Sequence, residues 1–304
     1  MILEILTFLA LRNQQTKRCA IGFQGSNNTL YKFHNLSKKH VLNPPDNFHP
    51  FLILSKDVVT DIPTELPCDC NDERLSTHGL PCRVDCAIRY FYYNLTEPWF
   101  YLGGDDGWVN FNAFEHILDA LESNYDPYTT KIFAGNLQQM HNVSFPHGGP
   151  GWLASRYFIQ SFLESKISIE DTSNRDESYI TDDIAMGLVL RESYSQLRFW
   201  ANPWSLVALP HPNWLKIFKR RSWDDLNECS PDIERVSVRD VMIVHVTPYN
   251  PDWVALLDIF PETPAFVKVQ TTKFVVSDFC KCTSKWCDLR ITSQSIRKRF
   301  RPEQ

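Results

Sequence analysis

The stretch Trp99-Phe-Tyr-Leu-Gly-Gly-Asp105-Asp106-Gly-Trp108-Val-Asn110 constrains this chain more than any other. Four large apolar residues, Trp99 to Leu102, predict a buried strand, and Gly103 and Gly104 permit a tight turn that delivers adjacent carboxylates at its end. Mg²⁺ and Mn²⁺ take oxygen ligands and keep positions open for substrate phosphates, so one or two carboxylates at a strand tip are enough to hold one. Asn112 then reads as a helix N-cap, with Glu115 closing a capping box and Phe114, Ile117, Leu118 and Leu121 giving the helix one apolar face. Gly-Asp-Asp-Gly is also ordinary surface-turn chemistry, so the stretch specifies a function only in company.

At 304 residues, 43% hydrophobic and 22% charged, the chain is long enough and apolar enough to bury a substantial core. Its net charge of -5 argues against nucleic acid as the main partner. Two short basic clusters, Lys216 to Arg221 and Arg297 to Arg301, read as solvated surface. Nine cysteines, several closely paired (Cys68 with Cys70; Cys280, Cys282 and Cys287), fit an oxidising compartment. Sequons at Asn27, Asn35, Asn94 and Asn142 are compatible with secretion and add little weight. The first eleven residues carry Glu4 inside their apolar run and no basic segment ahead of it. They read as a first buried strand rather than a signal or membrane-spanning helix.

In chain order, Asn13 to Gln24 is expected to be helical and Gly25 to Pro50 a loop, from its Asn, Ser and Pro content. Phe51 to Ser55 reads as a strand, ending at Lys56-Asp57. Asp61 to Pro81 is turn-rich and leads into a helix beginning at Cys82 and carrying Val84, Ala87, Ile88 and Phe91. A Cys70–Cys82 disulfide would staple that loop, with Cys68 the substitute for Cys70. Lys131 to Gly135 reads as another strand. Phe145-Pro-His-Gly148-Gly149-Pro-Gly151-Trp152 is a glycine-rich loop that lets backbone approach a ligand before a helix near Ser155. Residues 165 to 179 look like loop. Thr181-Asp182-Asp183-Ile184 opens a helix with two acids in its first turn, which is also ordinary dipole complementation. Arg198 to Pro212 looks irregular, either an acceptor groove or a packed loop. Asp240 to Val246 is an apolar run with His245 near its end, readable as a hydrogen-bonded core histidine. Asn250-Pro251 caps a further helix. Beyond Pro264 a short β-rich tail carries Cys280, Cys282 and Cys287. These lack a fourth zinc ligand unless Cys229 supplies it, so disulfides are preferred. Strands alternating with helices predict an α/β fold with a largely parallel sheet and ligands at the strands' carboxyl ends.

Four elements, in order, resemble the Fringe-like β-1,3-glycosyltransferases: Trp99-Phe-x-x-x-Gly104-Asp105-Asp106-Gly-x-Val-Asn110; Gly148-Gly149-Pro-Gly151-Trp152-x-x-Ser155; Thr181-Asp182-Asp183-Ile-x-x-Gly187; and Val244-His245-Val-Thr-Pro. The segment from Cys70 to Cys82, leading into Arg83-Val-Asp, looks like the family's cysteine-bounded loop. The resemblance covers roughly residues 1 to 262, and its order is harder to obtain by chance than any one motif. It implies a GT-A-type nucleotide-sugar transferase fold over residues 1–264, with a mostly parallel Rossmann-like sheet flanked by helices, and a cysteine-containing extension, 265–304, packed on it.

By the same resemblance Asp106 would hold Mn²⁺ (or Mg²⁺), Asp105 would support it and His245 would supply an imidazole ligand. Asp183 would be the general base that deprotonates an acceptor hydroxyl. Asp57, Arg83, Gly148, Gly149, Gly151, Trp152 and Asp182 would bind the UDP-sugar donor. A glycan or glycoprotein would be the acceptor, in the Golgi or endoplasmic reticulum, with any membrane anchor lying outside this chain. The family commonly has three acids in the metal turn, and Gly104 replaces the first. A catalytically silent glycan- or nucleotide-binding member is the competing reading; a two-metal phosphohydrolase would need more acidic ligands.

Overall fold

A computed structural model describes residues 17–63, 66–73, 76, 78–135, 137–140, 143–175, 181–194, 198–201, 205–208 and 242–246. Over these residues the chain is α/β, built on a seven-stranded mixed sheet. Its first strand, β1 (Cys19–Gln24), lies where a helix over residues 13–24 is expected. Cys19 to Phe23 are buried without a break, so this segment has no polar helical face. The expected strand over residues 1–11 lies outside the described residues.

Helix α1 (Asn27–Leu42) replaces the loop expected over 25–50. The Asn- and Ser-rich start that suggests a loop is the helix's cap: the Ser26 hydroxyl accepts from the Thr29 N–H, and the Thr29 hydroxyl accepts from the Ser26 N–H. Leu30, Phe33, Leu36 and His40 then recur at helical spacing and are buried. Strand β2 (Phe48–Ser55) follows, then the short β3 (Leu66–Cys68) and helix α2 (Leu80–Asn94), with Pro81 in its first turn. Two disulfides bind the segment between β3 and α2. Cys70 pairs with Cys82 as expected, and Cys68 pairs with Cys86, one turn further along α2, rather than standing in for Cys70. Disulfides of this kind suggest an oxidising extracellular or secretory-pathway compartment. Among the described residues no helix is long and apolar enough to cross a membrane.

Strand β4 (Trp99–Gly104), the short β5 (Gly107–Val109) and helix α3 (Phe111–Glu122) realise the acidic-turn stretch. The helix is capped by Asn110, whose side chain accepts from the Ala113 N–H, two residues before the expected cap. Glu115 accepts instead from the Asn47 side chain. Next come β6 (Ile132–Gly135), a hairpin of β7 (Leu137–Met140) and β8 (Val143–Pro146), β9 (Trp152–Ser155) and α4 (Arg156–Glu164), capped by Ser155. The expected loop over 165–179 contains α5 (Ile169–Asn174), and α6 (Asp182–Ser193) begins where two acids predict it. Strands β10 (Arg198–Ala201) and β11 (Ser205–Ala208) lie in the segment read as irregular, and β12 (Ile243–Val246) carries His245.

The sheet order is β10-β6-β9-β4-β1-β2-β3. All pairings are parallel except those of β9, which runs antiparallel to both β4 and β6, so the sheet is mixed rather than uniformly parallel. Alternate residues of the strands feed two cores. Phe51, Phe100 and Phe133 pack beneath α2, α4 and α6. Trp99, Tyr101 and Phe48 pack against α1 and α3. The strand order reverses at β1, which has β2 on one side and β4 on the other. In an open α/β sheet this reversal opens a crevice at the strands' carboxyl ends.

Candidate active site

Asp105 and Asp106 lie at that reversal. The Asp105 N–H donates to the carbonyl of Gln24, the last residue of β1, at 2.9 Å, which ties the acidic turn to its neighbour strand. The two carboxyls then part. The Asp105 carboxyl turns inward, with Oδ2 within 2.9 Å of where a Cβ on Gly25 would stand, and the Thr29 hydroxyl hydrogen-bonds to it. Burial, and then the neighbouring Asp106, push it well above the usual carboxylate range. Asp106 turns the other way and meets His245, with Oδ2 and Nε2 3.0 Å apart; these two side chains are 9% and 10% exposed.

Residues 139 positions apart meet because β12 pairs antiparallel with β5, placing His245 opposite Gly107, while β11 pairs with β12 from the other side. The imidazole lies against Gly149, where any Cβ would collide with His245 Nδ1 and Cε1. Gly149 also accepts from the Gly104 N–H at 3.3 Å. At Gly104 a Cβ would run into Asp106 Oδ1, so a third acid in this turn would require Asp106 to move.

One residue along the loop, a Cβ on Gly148 would make ordinary contact with Asp182 Oδ2, at 3.4 Å, and would approach Asp183. Gly148 and Gly149 thus bridge two acidic groups, with Asp106 and His245 on one side and the first turn of α6 on the other. Asp182 is buried and Asp183 half-buried, with the Asp183 carboxylate accepting from the Ile184 N–H at 2.8 Å.

Beneath this lies Arg83, fully buried. Its Nη1 donates to Ser55 Oγ at 2.9 Å and to the Asn71 carbonyl at 3.2 Å, and pairs with Asp72 at 3.4 Å. Burial lowers its pKa, opposed by Asp72, Asp182 and Asp105. Its Nε and Nη2 have no partner among the described residues; neither do Gln24 Nε2, Asp105 Oδ2, Thr181 Oγ1 and His245 Nδ1. These unpartnered polar atoms belong to residues at or beside the carboxyl-terminal edge of the sheet. A cluster of buried, unsatisfied groups is costly unless something polar occupies the space between them.

The chain matches no family model and no curated protein.

Of the residues singled out from sequence, Asp106, His245, Gly149, Gly148, Asp182 and Asp183 are brought together, with Asp105 and Arg83 behind them. Asp57 is exposed in the turn after β2, two residues beyond the Ser55 that holds Arg83. Gly151 and Trp152 play other parts. Gly151 has φ of +70°, and a Cβ there would collide with the Leu102 carbonyl and Tyr101 Oη, so its role is to carry the loop over β4. The Trp152 ring is buried between Phe133 (ring centroids 5.1 Å apart) and Phe100 (5.6 Å), because β9's alternation turns it into the core and away from the crevice.

His147, outside the set of residues singled out from sequence, is half-buried with its ring 5.6 Å from that of His245 and Nδ1 accepting from the Gly149 N–H. A histidine directly before the two glycines was the available signal. Asp72 and Thr29, which hold Arg83 and Asp105, carried none, since each lies in a segment that reads as loop.

Among the described residues one trio of His, Cys, Asp or Glu brings its ligand atoms within 4.8 Å of one another: His78, Cys82 and Glu170. Cys82 is in a disulfide and offers no thiolate. The Asp106–His245 pair is different. One carboxylate oxygen and one imidazole nitrogen are a donor set that Mn²⁺ accepts, and two protein ligands leave positions for a phosphate-bearing ligand. The residues present therefore fit a single divalent ion held by Asp106 and His245, with the Asp105 carboxyl outside the ligand set.

Proposed function

We propose that this chain is a metal-dependent glycosyltransferase that moves a sugar from a UDP-sugar to a hydroxyl of a glycan or glycoprotein, with inversion and a β-1,3 linkage. The observation that carries the reading is the pairing of Asp106 with His245 over Gly149, across the glycine loop from Asp182 and Asp183. The order of motifs resembling the Fringe-like transferases supports it, as does the mixed α/β sheet, which is compatible with a GT-A-type fold.

In this reading Asp106 and His245 hold the divalent ion, which when bound neutralises charge on the departing diphosphate. Arg83, buried and with two N–H groups unpartnered among the described residues, supplies a fixed positive charge beneath the donor. Gly148 and Gly149 let the backbone approach the sugar of the donor closely. Asp183 takes the proton from the acceptor hydroxyl as that oxygen attacks the anomeric carbon from the face opposite UDP. In this reading the work belongs to the Golgi or endoplasmic reticulum, which the oxidising compartment suggested by the disulfides supports.

A second reading, a silent member that binds nucleotide or glycan without turnover, is favoured by one observation: the Asp105 carboxyl is turned into the protein, and Gly104 offers no acid in its stead. The Asp183→Asn variant separates the two. With UDP-hexoses and a panel of glycan acceptors, a transferase loses about 10²- to 10⁴-fold in rate on this substitution while still binding UDP. Absence of transfer by the wild-type chain across donors and acceptors, with UDP binding intact, establishes the silent reading.

A further inference from the structure

We propose that Asn94 carries an N-linked glycan whose innermost sugars cover the cleft beside the two disulfides. The inference rests on the oxidising compartment that the disulfides indicate and is independent of the transferase reading.

Three of the sequons fall within the described residues, and the fold treats them differently. In Asn27-Asn28-Thr29 the hydroxyl is bound into the cap of α1: Thr29 Oγ1 accepts from the Ser26 N–H at 3.0 Å and lies 2.9 Å from Ser26 Oγ. In Asn35-Leu36-Ser37 the whole tripeptide lies within α1 and Ser37 is 1% exposed. Asn94-Leu95-Thr96 has neither constraint. Asn94 is the last residue of α2 and is exposed; Leu95 is extended, with φ of -112° and ψ of 161°; and Thr96 is exposed in the loop before β4. Leu95 is buried in the core, so it holds the segment in place while the Asn94 and Thr96 side chains on either side of it are presented to solvent without unwinding the helix.

The surface around Asn94 has the character that sugars cover. A cavity of about 380 Å³ is lined by Cys70, Cys82, Arg89, Tyr90, Tyr93 and Asn94. Tyr93 is 71% exposed, one of the few large apolar side chains left uncovered among the described residues. A pyranose ring presents C–H groups to an aromatic face and hydroxyls to a guanidinium, so Tyr90, Tyr93 and Arg89 form a matched bed for the first residues of a glycan anchored at the cavity's edge. The reaction is transfer from a lipid-diphosphate-linked oligosaccharide: Asn94 Nδ2 forms a bond to the reducing-end C1, the C1–O bond to the diphosphate breaks, the amide loses a proton and the lipid diphosphate leaves.

The test uses the full chain behind a cleavable signal peptide, secreted from a eukaryotic host and purified in its disulfide-bonded form. Peptide mapping by mass spectrometry is compared before and after enzymatic removal of N-glycans. The expected result is a glycosylated Asn94 peptide, converted to Asp on deglycosylation, and a gel-mobility shift that is lost in Thr96→Ala and retained in Ser37→Ala. Deglycosylated wild type and Thr96→Ala should also share a lower Tm than the glycosylated protein. An Asn94 peptide recovered unmodified from the secreted protein overturns the site; an Asn94 glycan whose removal leaves Tm unchanged overturns the covered cleft.

Discussion

At the scale of single residues the site turns on where side chains are forbidden. Gly149 and Gly148 are adjacent and look interchangeable in sequence, yet one lies under the His245 ring and the other beside Asp182 with ordinary room. The Gly149→Ala variant is therefore expected to displace His245 from Asp106 and weaken Mn²⁺-dependent nucleotide binding about 10- to 100-fold, the range seen when a ligand's orientation is lost. Gly148→Ala should bind within about threefold of wild type, a difference of less than 1 kcal/mol. Calorimetry on the two variants checks the pair, and equal losses would refute the assigned geometry. The same reasoning recasts Gly104. From sequence it reads as the missing first acid of the metal turn; in the fold it is the residue that lets Asp106 lie where it does.

At the scale of elements, two polar devices tie helices to the segments beside them. Buried Asp85 on α2 accepts from the N–H groups of Ile169 and Glu170 and from the Ser168 hydroxyl, all at 2.7–3.0 Å, and so anchors the start of α5. Replacing it with Ala leaves buried N–H groups unpaired. The expected cost is about 2–3 kcal/mol, measured by denaturant unfolding. The second device is Asp61, which joins the loop after β2 to Lys38 and His34 on α1. Hydrogen bonds from Lys38 and then His34 lower its pKa from 3.8 to about 2. Because the folded value is depressed, the stabilisation from this contact is fully present above pH 3.8 and is lost as pH falls through about 2. The group is fully exposed, so the effect is small and weakened by salt. In an NMR titration Asp61 should have its midpoint near 2 in the wild type and move back towards 3.8 in Lys38→Met. An unchanged midpoint in the variant would dismiss the contact.

At the scale of the whole molecule, the sheet gathers at one edge residues that the sequence scatters. The parts legible beforehand announce themselves locally: the apolar run of β4 with its glycines, the helix after it, the Cys70–Cys82 staple and the acidic start of α6. The segment from β1 to α1 is not legible in the sequence because β1 lacks alternation, being buried on both faces, and because α1 hides its helical spacing behind an Asn-rich cap. The antiparallel entry of β9 was not visible either, since it follows from the hairpin and glycine loop that turn the chain back. Asp105 and Asp106 are neighbours in sequence and look like one ligand set, but a strand end sends successive side chains to opposite faces, and only Asp106 reaches His245. The expected helix after Asn250 and the cysteine-containing segment 265–304 lie outside the described residues.

The most direct test of a metal-dependent nucleotide site at Asp106 is calorimetric titration of UDP into the protein with Mn²⁺ and then with chelator, on wild type and Asp106→Ala. Binding by the wild type is expected to require Mn²⁺ and to be lost in the variant. Binding that ignores both the metal and the substitution, or no binding under either condition, would contradict that site.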